Sequence, residues 1–270
     1  MLPVTKFRMD SASPKTSLPK EVFSSKGPTH RILFNRVPKC SSSTAIKVFQ
    51  TLSKQNPFVF VHSENYTDQE LIADGGPKAF VKDLCQMKEE GSWLYEKHFY
   101  FVNFRSFGCP QPVYINIYRE PGERRVSGYY FHDYHKKYNM TYEECWERKL
   151  SGCRDVGTPL SYFCGMDEVC KTISRETVNK AKRNIDKHYA VVGVSEELDV
   201  FYQLLEYYFP VTMKNAVEVY RSTTRENVGR YEPVSDKLIV KLKSFFRYEY
   251  ELYDFIMQRL YTQKLQTGIV

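Results

Sequence analysis

Long apolar runs are missing from this chain of 270 residues. None reaches the ~18 residues that a membrane-spanning helix needs, so we expect contact with a membrane only through an anchor that lies outside this chain. The first 29 residues are rich in Ser, Pro and Lys and contain neither a signal-peptide core nor an anchor. Residues 1–29 are therefore predicted to be a disordered lead or stem, and residues 30–270 the folded domain.

No single block of Lys and Arg stands out either, which does not favour a nucleic-acid partner. The net charge is nevertheless +7, from 39 basic and 32 acidic residues, and such an excess suits a polyanionic partner. Charge alone leaves an acidic polysaccharide and a membrane surface open. The 21 Tyr and 18 Phe exclude disorder for most of the length, because a chain so rich in aromatic residues can bury a core.

The seven cysteines lack the CxxC spacing of zinc sites, and no histidine cluster accompanies them, so we expect no metal. Two close pairs, Cys145 with Cys153 and Cys164 with Cys170, suit short-range disulfides and hence an oxidising compartment. Glycosylation sequons at Asn65 and Asn139 agree with passage through the secretory pathway.

Strand-like and helix-like segments alternate from His30 onward. The predicted strands cover 31–37, 58–62, 93–104, 112–118 and 189–194. Helices are predicted over 44–52, 68–86 (broken near Pro77), 177–184 and 235–261. Two further helices are predicted to begin at Glu120-Pro121 and after a Ser195 cap. In the helix over 235–261, apolar residues including Phe245 form a stripe. Residues 135–175 are predicted to be rich in loops. This order indicates an α/β fold with a mainly parallel central sheet, whose ligands bind at the carboxyl ends of the strands.

The segment from Arg31 to Thr44 predicts an anion site. A buried strand runs into Lys39, and the hydroxyls of 41–44 then begin a helix whose N-terminal N–H groups and dipole favour a phosphate. The nucleotide-hydrolase loop GxxxxGK[ST] does not match at either glycine, so an ATPase is not indicated. An ordinary Ser-capped helix beside a surface lysine is the alternative.

A second strand end carries Arg119, and Ser127 follows two helical turns later. A guanidinium and a hydroxyl in this arrangement can hold a second phosphate. The alternative is a structural salt bridge from Arg119 to Glu120 or Glu123.

His98 is the strongest of the six histidines as a candidate general base, because an imidazole titrates close to neutral pH. It lies among aromatic residues, so a packed, hydrogen-bonded histidine is the alternative. His62 ends its own predicted strand, and the same two readings apply to it.

Five ordered blocks resemble the uronyl 2-O-sulfotransferases, a family that includes the heparan sulfate 2-O-sulfotransferases and the Pipe-like proteins. The blocks are RVPKCSSST, His98 ahead of FRSFG, PVYINIYREPGERRVSGYYF, YFCGMDEVC and VVGVSEELDVFYQLLE. The resemblance covers roughly residues 30–263. It implies a P-loop-like three-layer α/β domain, disulfides at both cysteine spacings, a Golgi type II membrane protein with its catalytic domain in the lumen, and a homo-oligomer that is a trimer in the heparan enzyme.

Site residues follow from the resemblance by position. The residues matching the loop that binds the 5′-phosphosulfate of the donor PAPS are Lys39, Cys40, Ser41, Ser42, Ser43 and Thr44. Arg119 and Ser127 match the 3′-phosphate site, and His98 matches the catalytic base. The positions that match or adjoin the acceptor groove are Arg36, His62, Glu96 and, in the poorly aligned loop 221–230, Arg225.

Two positions depart from the heparan enzyme. Glu96 stands where that enzyme has a second histidine, and Cys40 replaces a threonine; the dermatan-type enzyme is more similar to this chain at both. The acceptor expected from the resemblance is therefore a uronic acid in heparan, dermatan or chondroitin sulfate, without a choice among them.

The chemistry implied is metal-free sulfuryl transfer from PAPS, with His98 as base and Lys39 stabilising negative charge. A catalytically weak, sulfotransferase-like protein that binds glycosaminoglycan is the alternative from another class. A P-loop kinase or ATPase is a third, against which the absent glycines count.

Overall fold

Five parallel strands form the centre of the described structure. The computed structural model describes residues 30–62, 76–87, 91–154, 157–223 and 234–269. The strands are β1 (Arg31–Asn35), β2 (Phe58–His62), β3 (Ser92–Lys97), β4 (Val113–Tyr118) and β5 (Tyr189–Val194), in the sheet order β2-β3-β1-β4-β5. Every pair of neighbours is parallel. The predicted α/β class and parallel sheet are confirmed.

The helices of the described ranges connect and cover these strands. They are α1 (Ser42–Ser53), α2 (Gly76–Cys85), α3 (Pro121–Phe131), α4 (Tyr134–Tyr138), α5 (Tyr142–Glu147), α6 (Ser151–Arg154), α7 (Leu160–Cys164), α8 (Arg175–His188), α9 (Leu198–Tyr208), α10 (Ala216–Ser222), α11 (Asp236–Phe245) and α12 (Arg247–Thr267). Two 3₁₀ turns, Phe104–Phe107 and Glu168–Lys171, lie between them.

Burial shows that both faces of the sheet are covered. All six residues of β5 are buried, and so are the last four of β1. Side chains alternate between the two faces of a strand, so continuous burial requires packing on both faces and gives the expected three layers. Gly193 shows how close this packing is: a Cβ built there would lie 2.6 Å from the Phe201 ring of α9, so only glycine fits.

The strand order reverses between β1 and β4. The chain passes from β1 to β2 on one side, whereas β4 leads to β5 on the other. In parallel sheets this reversal opens a crevice at the carboxyl ends of the two central strands. The Lys39 loop follows β1, and Arg119 follows β4, so the fold places both beside that crevice.

Two predicted boundaries and one predicted burial were wrong. The strand predicted over 93–104 ends at Lys97, because the chain then crosses to α7, where the Phe101 N–H donates to the carbonyl of Tyr162 at 3.1 Å. The helix predicted over 235–261 is two helices that meet at Phe246. Phe245, expected in the buried stripe, is 56% exposed, because the break turns its side chain out of the core.

The remaining differences are local. Ser195 does not cap α9; Glu197 is its N-cap, and the Ser195 N–H and hydroxyl both donate to the carbonyl of Tyr118 at the end of β4. Residues 135–175, predicted to be rich in loops, contain α4 to α7 and a 3₁₀ turn. The predicted α2 segment is described only from Gly76 onward, and the expected lead over 1–29 lies outside the described residues.

Both predicted disulfides are present, Cys145–Cys153 and Cys164–Cys170. A third, Cys85–Cys109, joins the end of α2 to the segment before β4 and was not predicted, because 24 residues separate its cysteines. Cys40 is the free cysteine of the described chain and is buried.

Candidate active site

The loop between β1 and α1 has an unusual backbone. Lys39 and Ser41 both adopt positive φ angles, 64° and 58°, a left-handed conformation that residues with a Cβ rarely take. Ser41 is the N-cap of α1, yet within the described residues its side chain makes no capping hydrogen bond, and the first turn holds no acidic residue. The N–H groups that begin the helix are therefore suited to an external anion.

Arg119 lies against this loop from the neighbouring strand end. Its backbone hydrogen-bonds the buried thiol of Cys40, whose pKa burial raises to about 12, so the thiol stays protonated. Burial lowers the pKa of Lys39, and the positive charge of Arg119 lowers it further. Two cations thus share one region at the ends of β1 and β4, as the sequence predicted.

The alternative for Arg119, a salt bridge, is also present in the structure. Its Nη2 lies 3.2 Å from Oε2 of Glu123, whereas Glu120 instead caps α3 by accepting a hydrogen bond from the Glu123 N–H. The Glu123 side chain is 51% exposed, and pairs of this kind contribute about 0–1 kcal/mol. So weak a pair leaves Arg119 able to bind an incoming anion.

Helix α3 adds one residue, Phe131, that the sequence interpretation missed. The Lys39 ammonium lies 3.5 Å from the centroid of the Phe131 ring, which is 61% exposed. Such a cation–π contact holds the lysine without neutralising its charge. Ser127 precedes Phe131 by one turn and is buried, and the i, i+4 spacing places the two side chains on the same face of α3. The i, i+4 spacing from Ser127 was the available signal for Phe131.

A buried ionic cluster supports the same helix. Arg125 Nη2 lies 2.5 Å from Oε1 of Glu249 on α12, and Arg124 Nη2 lies 3.8 Å from Oε2 of that carboxylate. All three side chains are at most 4% exposed. The Arg124 charge also acts on the Cys40 thiol, so this cluster adds net positive charge behind the loop between β1 and α1.

His98 follows the end of β3, not its middle as predicted, and is half-buried. Its Nδ1 lies 2.8 Å from the carbonyl oxygen of Arg36. A carbonyl can only accept, so Nδ1 carries the proton and Nε2 keeps its lone pair. Burial, reinforced by the charge of Arg36, lowers the pKa of His98 to about 4. The imidazole is consequently neutral near pH 7, with a free basic nitrogen.

The expected groove residues Arg36, His62 and Glu96 form a cluster on one face of the sheet. His62 on β2 pairs in register with Glu96 on β3, and its Nδ1 hydrogen-bonds Oε1 of Glu96. Arg36 Nε lies 2.6 Å from Oε2 of Glu96. Glu96 has no exposed surface and Arg36 is 4% exposed, so these two side chains do not line an open groove as expected; only His62, 29% exposed, reaches the surface.

The structure gives the exposure of some other predicted positions, and two lie outside the described residues. Ser42 and Ser43 are partly exposed at the start of α1, and Thr44 is buried. Asn139 is exposed at the end of α4, as a glycosylation acceptor must be. Arg225 and Asn65 lie outside the described residues, so their predicted roles are untested.

The site therefore combines a cationic region (Lys39 and Arg119) with a neutral imidazole that ends a nearby strand. The first favours a ligand with more than one negative group, and the second favours removal of a proton from an acceptor. One loop links the two, because Arg36 contacts His98 and Lys39 follows Arg36 by three residues.

Comparison with known proteins agrees with this chemistry. The sequence model described as "Sulfotransferase family" matches residues 27–256. The chain belongs to the sulfotransferase family. The resemblance to the uronyl and heparan sulfate enzymes is confirmed as well: the chain is 28% identical over 264 residues to uronyl 2-sulfotransferase of Mus musculus and 30% identical over 249 residues to heparan sulfate 2-O-sulfotransferase 1 of Homo sapiens.

These matches cover 88% and 84% of this sulfotransferase-family chain. The chain spans 64% of the length of the uronyl enzyme and 70% of that of the heparan enzyme. A solved structure, a sulfotransferase from Alicyclobacillus acidocaldarius, aligns with a TM-score of 0.45 and 14% identity over 88% of this chain and 99% of its own.

Within the described ranges, no three or more His, Cys, Asp or Glu side chains lie close enough together to hold a metal ion. The absence of a metal remains a prediction. None of the helices in those ranges is long and apolar enough to cross a membrane.

Proposed function

We propose that this chain is a glycosaminoglycan uronyl 2-O-sulfotransferase, which moves a sulfo group from PAPS to the 2-hydroxyl of an iduronic or glucuronic acid in heparan, dermatan or chondroitin sulfate. The observation that carries the proposal is the pairing of two chemically distinct centres: a neutral His98 with a free Nε2, and a loop where Lys39 and Arg119 meet. Membership of the sulfotransferase family and the two named relatives support the choice of reaction.

The residues present fit a donor that carries two phosphate positions. The charge of Arg119 lowers the pKa of Lys39, so bringing these cations together is unfavourable until an anion joins them. The start of α1 would hold the 5′-phosphosulfate, and Arg119 with Ser127 the 3′-phosphate. PAPS would supply the activated sulfo group, so the chain itself needs to provide only binding, a base and charge stabilisation.

His98 acts on the acceptor. Its Nε2 accepts the proton of the uronic acid 2-hydroxyl as that oxygen forms its bond to sulfur. The Nδ1–H bond to the Arg36 carbonyl fixes the tautomer that makes this possible. Lys39 and the first N–H groups of α1 stabilise the negative charge left on the phosphate when the bond between sulfur and the bridging oxygen breaks.

The test is direct transfer with analysed products. Purified protein is incubated with radiolabelled PAPS and separate heparan, dermatan and chondroitin chains, and the resulting disaccharides are separated. Label on the 2-position of a uronic acid supports the proposal. Label on no chain refutes the transferase, and no binding of the desulfo-cofactor then leaves the glycosaminoglycan-binding protein, which need not bind that cofactor.

Variants assign the two centres. Lys39→Ala should lower turnover by on the order of 10²–10³, as for loss of one oxyanion donor. Lys54→Ala, an exposed lysine just after the other end of α1, is the matched control and should change turnover little. His98→Ala should abolish transfer and leave affinity for the desulfo-cofactor nearly intact; substantial remaining turnover would show that another group is the base.

We also propose that the protein works in the lumen of the Golgi, as a glycoprotein. Three disulfides and an exposed Asn139 support an oxidising, glycosylating compartment. Membrane anchoring through a segment outside this chain and a trimeric state are further parts of this proposal. Microscopy of the tagged full-length protein and light scattering of the purified domain test location and oligomeric state.

A further inference from the structure

Glu96 raises a question that binding of the acceptor does not answer. It is a carboxylate with no exposed surface, in a site whose ligands are anionic, and burial raises its pKa. A carboxylate facing a polyanion would repel it. The contacts of Glu96 lead instead to the base.

We propose that Glu96 is a positioning residue, which fixes His98 in its basic tautomer by holding Arg36 in place. This inference rests on the proposed function, since it concerns the base of that reaction. Glu96 Oε2 holds the Arg36 guanidinium through Nε at 2.6 Å, and the carbonyl of the same arginine accepts the hydrogen bond from His98 Nδ1 at 2.8 Å. One residue thus connects the carboxylate to the imidazole.

The backbone makes this connection stiff. The Arg36 N–H donates to the carbonyl of Lys97 at 3.1 Å, so Arg36 is attached to β3 one residue after Glu96 and one before His98. The Arg36 side chain is 4% exposed, and a buried guanidinium without its carboxylate is strongly unfavourable. Removal of the Glu96 charge should therefore draw the arginine towards water and shift its carbonyl from Nδ1.

His62 occupies the outer side of the same carboxylate. Its imidazole hydrogen-bonds Oε1, which leaves Oε2 for Arg36. Each oxygen of Glu96 thus contacts a residue of the protein, and because the side chain has no exposed surface it offers no oxygen to a sugar hydroxyl. This arrangement separates a positioning role from a substrate-binding one.

Glu96→Gln tests the proposal, because it keeps the volume and removes the charge. We expect kcat to fall on the order of 10²-fold, as for a misplaced reacting group, with the KM for polysaccharide and the affinity for desulfo-cofactor changed less than about two-fold. Nitrogen NMR of labelled histidine should show the Nδ1–H tautomer of His98 in the wild type and a mixture in the variant. Glu96→Asp, which keeps a shorter carboxylate, should lose about ten-fold in kcat.

Three results would overturn the proposal: a raised KM with unchanged kcat, which assigns Glu96 to the substrate; an unchanged tautomer in the Gln variant; or an Asp variant as fast as the wild type. If the Gln variant does not fold, the Asp variant decides by the same kcat and NMR measurements. If the wild type transfers no sulfate to any acceptor, the proposed function fails, whereas the tautomer measurement still tests the link from Glu96 to His98.

Discussion

The pH response of His98 is the sharpest consequence of the structure. Its pKa is lowered from 6.5 to about 4, first by burial and then by the charge of Arg36. An ordinary histidine would be about one-tenth neutral at pH 5.5, whereas His98 would remain almost wholly neutral there. If His98 is the base, kcat/KM should therefore change little between pH 7 and 5.5, and its acid limb should lie near pH 4.

The same shift predicts a change in stability with a definite sign. Between pH 6.5 and 4 the unfolded chain binds a proton at residue 98 and the folded chain does not, so the free energy of unfolding falls as the pH falls. The loss is about 1.4 kcal/mol for each pH unit, or about 3 kcal/mol over the whole interval. Above pH 6.5 both states are neutral at this position, and the contribution is constant.

Two assays separate this effect from other groups that titrate. The difference in unfolding free energy between wild type and His98→Gln, from urea denaturation at each pH, isolates residue 98 because all other groups are common to both proteins. Binding of the desulfo-cofactor across the same buffers corrects the rate profile for the 3′-phosphate, which titrates near pH 6. An acid limb of the corrected profile near pH 6.5, or a constant stability difference down to pH 4, would refute the reasoning.

Three further changes test other parts of the structure. Arg119→Ala should weaken desulfo-cofactor binding about 10–100-fold in calorimetry, because it removes one charged hydrogen bond. The control is Arg105→Ala, an exposed arginine on the 3₁₀ turn before β4, which should not weaken binding; equal effects of the two variants would contradict the 3′-phosphate assignment. Glu249→Gln should lower the unfolding free energy by about 3–5 kcal/mol in urea, because two buried arginines lose their counter-ion, and a loss under about 1 kcal/mol would contradict this. Replacing Cys85 and Cys109 by Ala should lower the unfolding free energy by about 3.4 kcal/mol, the loop entropy that this disulfide removes from the unfolded chain. Removing Cys145–Cys153, which closes an eight-residue loop, should cost less, about 2.5 kcal/mol, and thermal unfolding of the two variants ranks these losses.

The sheet could be predicted because its information is local. Runs of buried residues end at polar ones, and Lys39, His62 and Arg119, which were singled out, lie at or after the ends of β1, β2 and β4. Parallel pairing then brings those ends to one edge without any knowledge of tertiary contacts. The adjacency of Lys39 and Arg119 follows from the strand order β1-β4.

The missed features depend on contacts that sequence spacing does not encode. The aromatic residues after His98 have strand-like composition, yet they pack against α7 instead of pairing. Apolar spacing continues through Phe246, so the break between α11 and α12 has no periodic signal. The burial of Glu96 likewise reflects its two partners, Arg36, which directly follows β1, and His62, which ends β2.

The segment from Lys39 to Ser41 shows why the backbone is a better guide here than the motif. A loop of this kind needs left-handed residues, and the nucleotide-hydrolase sequence supplies glycine, for which that conformation is not strained. This chain places Lys39 and Ser41 there instead, at about 1–2 kcal/mol each. Such a cost persists where the surrounding structure determines the conformation, and it gathers at ligand sites. The same segment also leaves the start of α1 uncapped by Ser41, so two departures from the relaxed arrangement meet at one point, and the second leaves N–H groups that suit an anion.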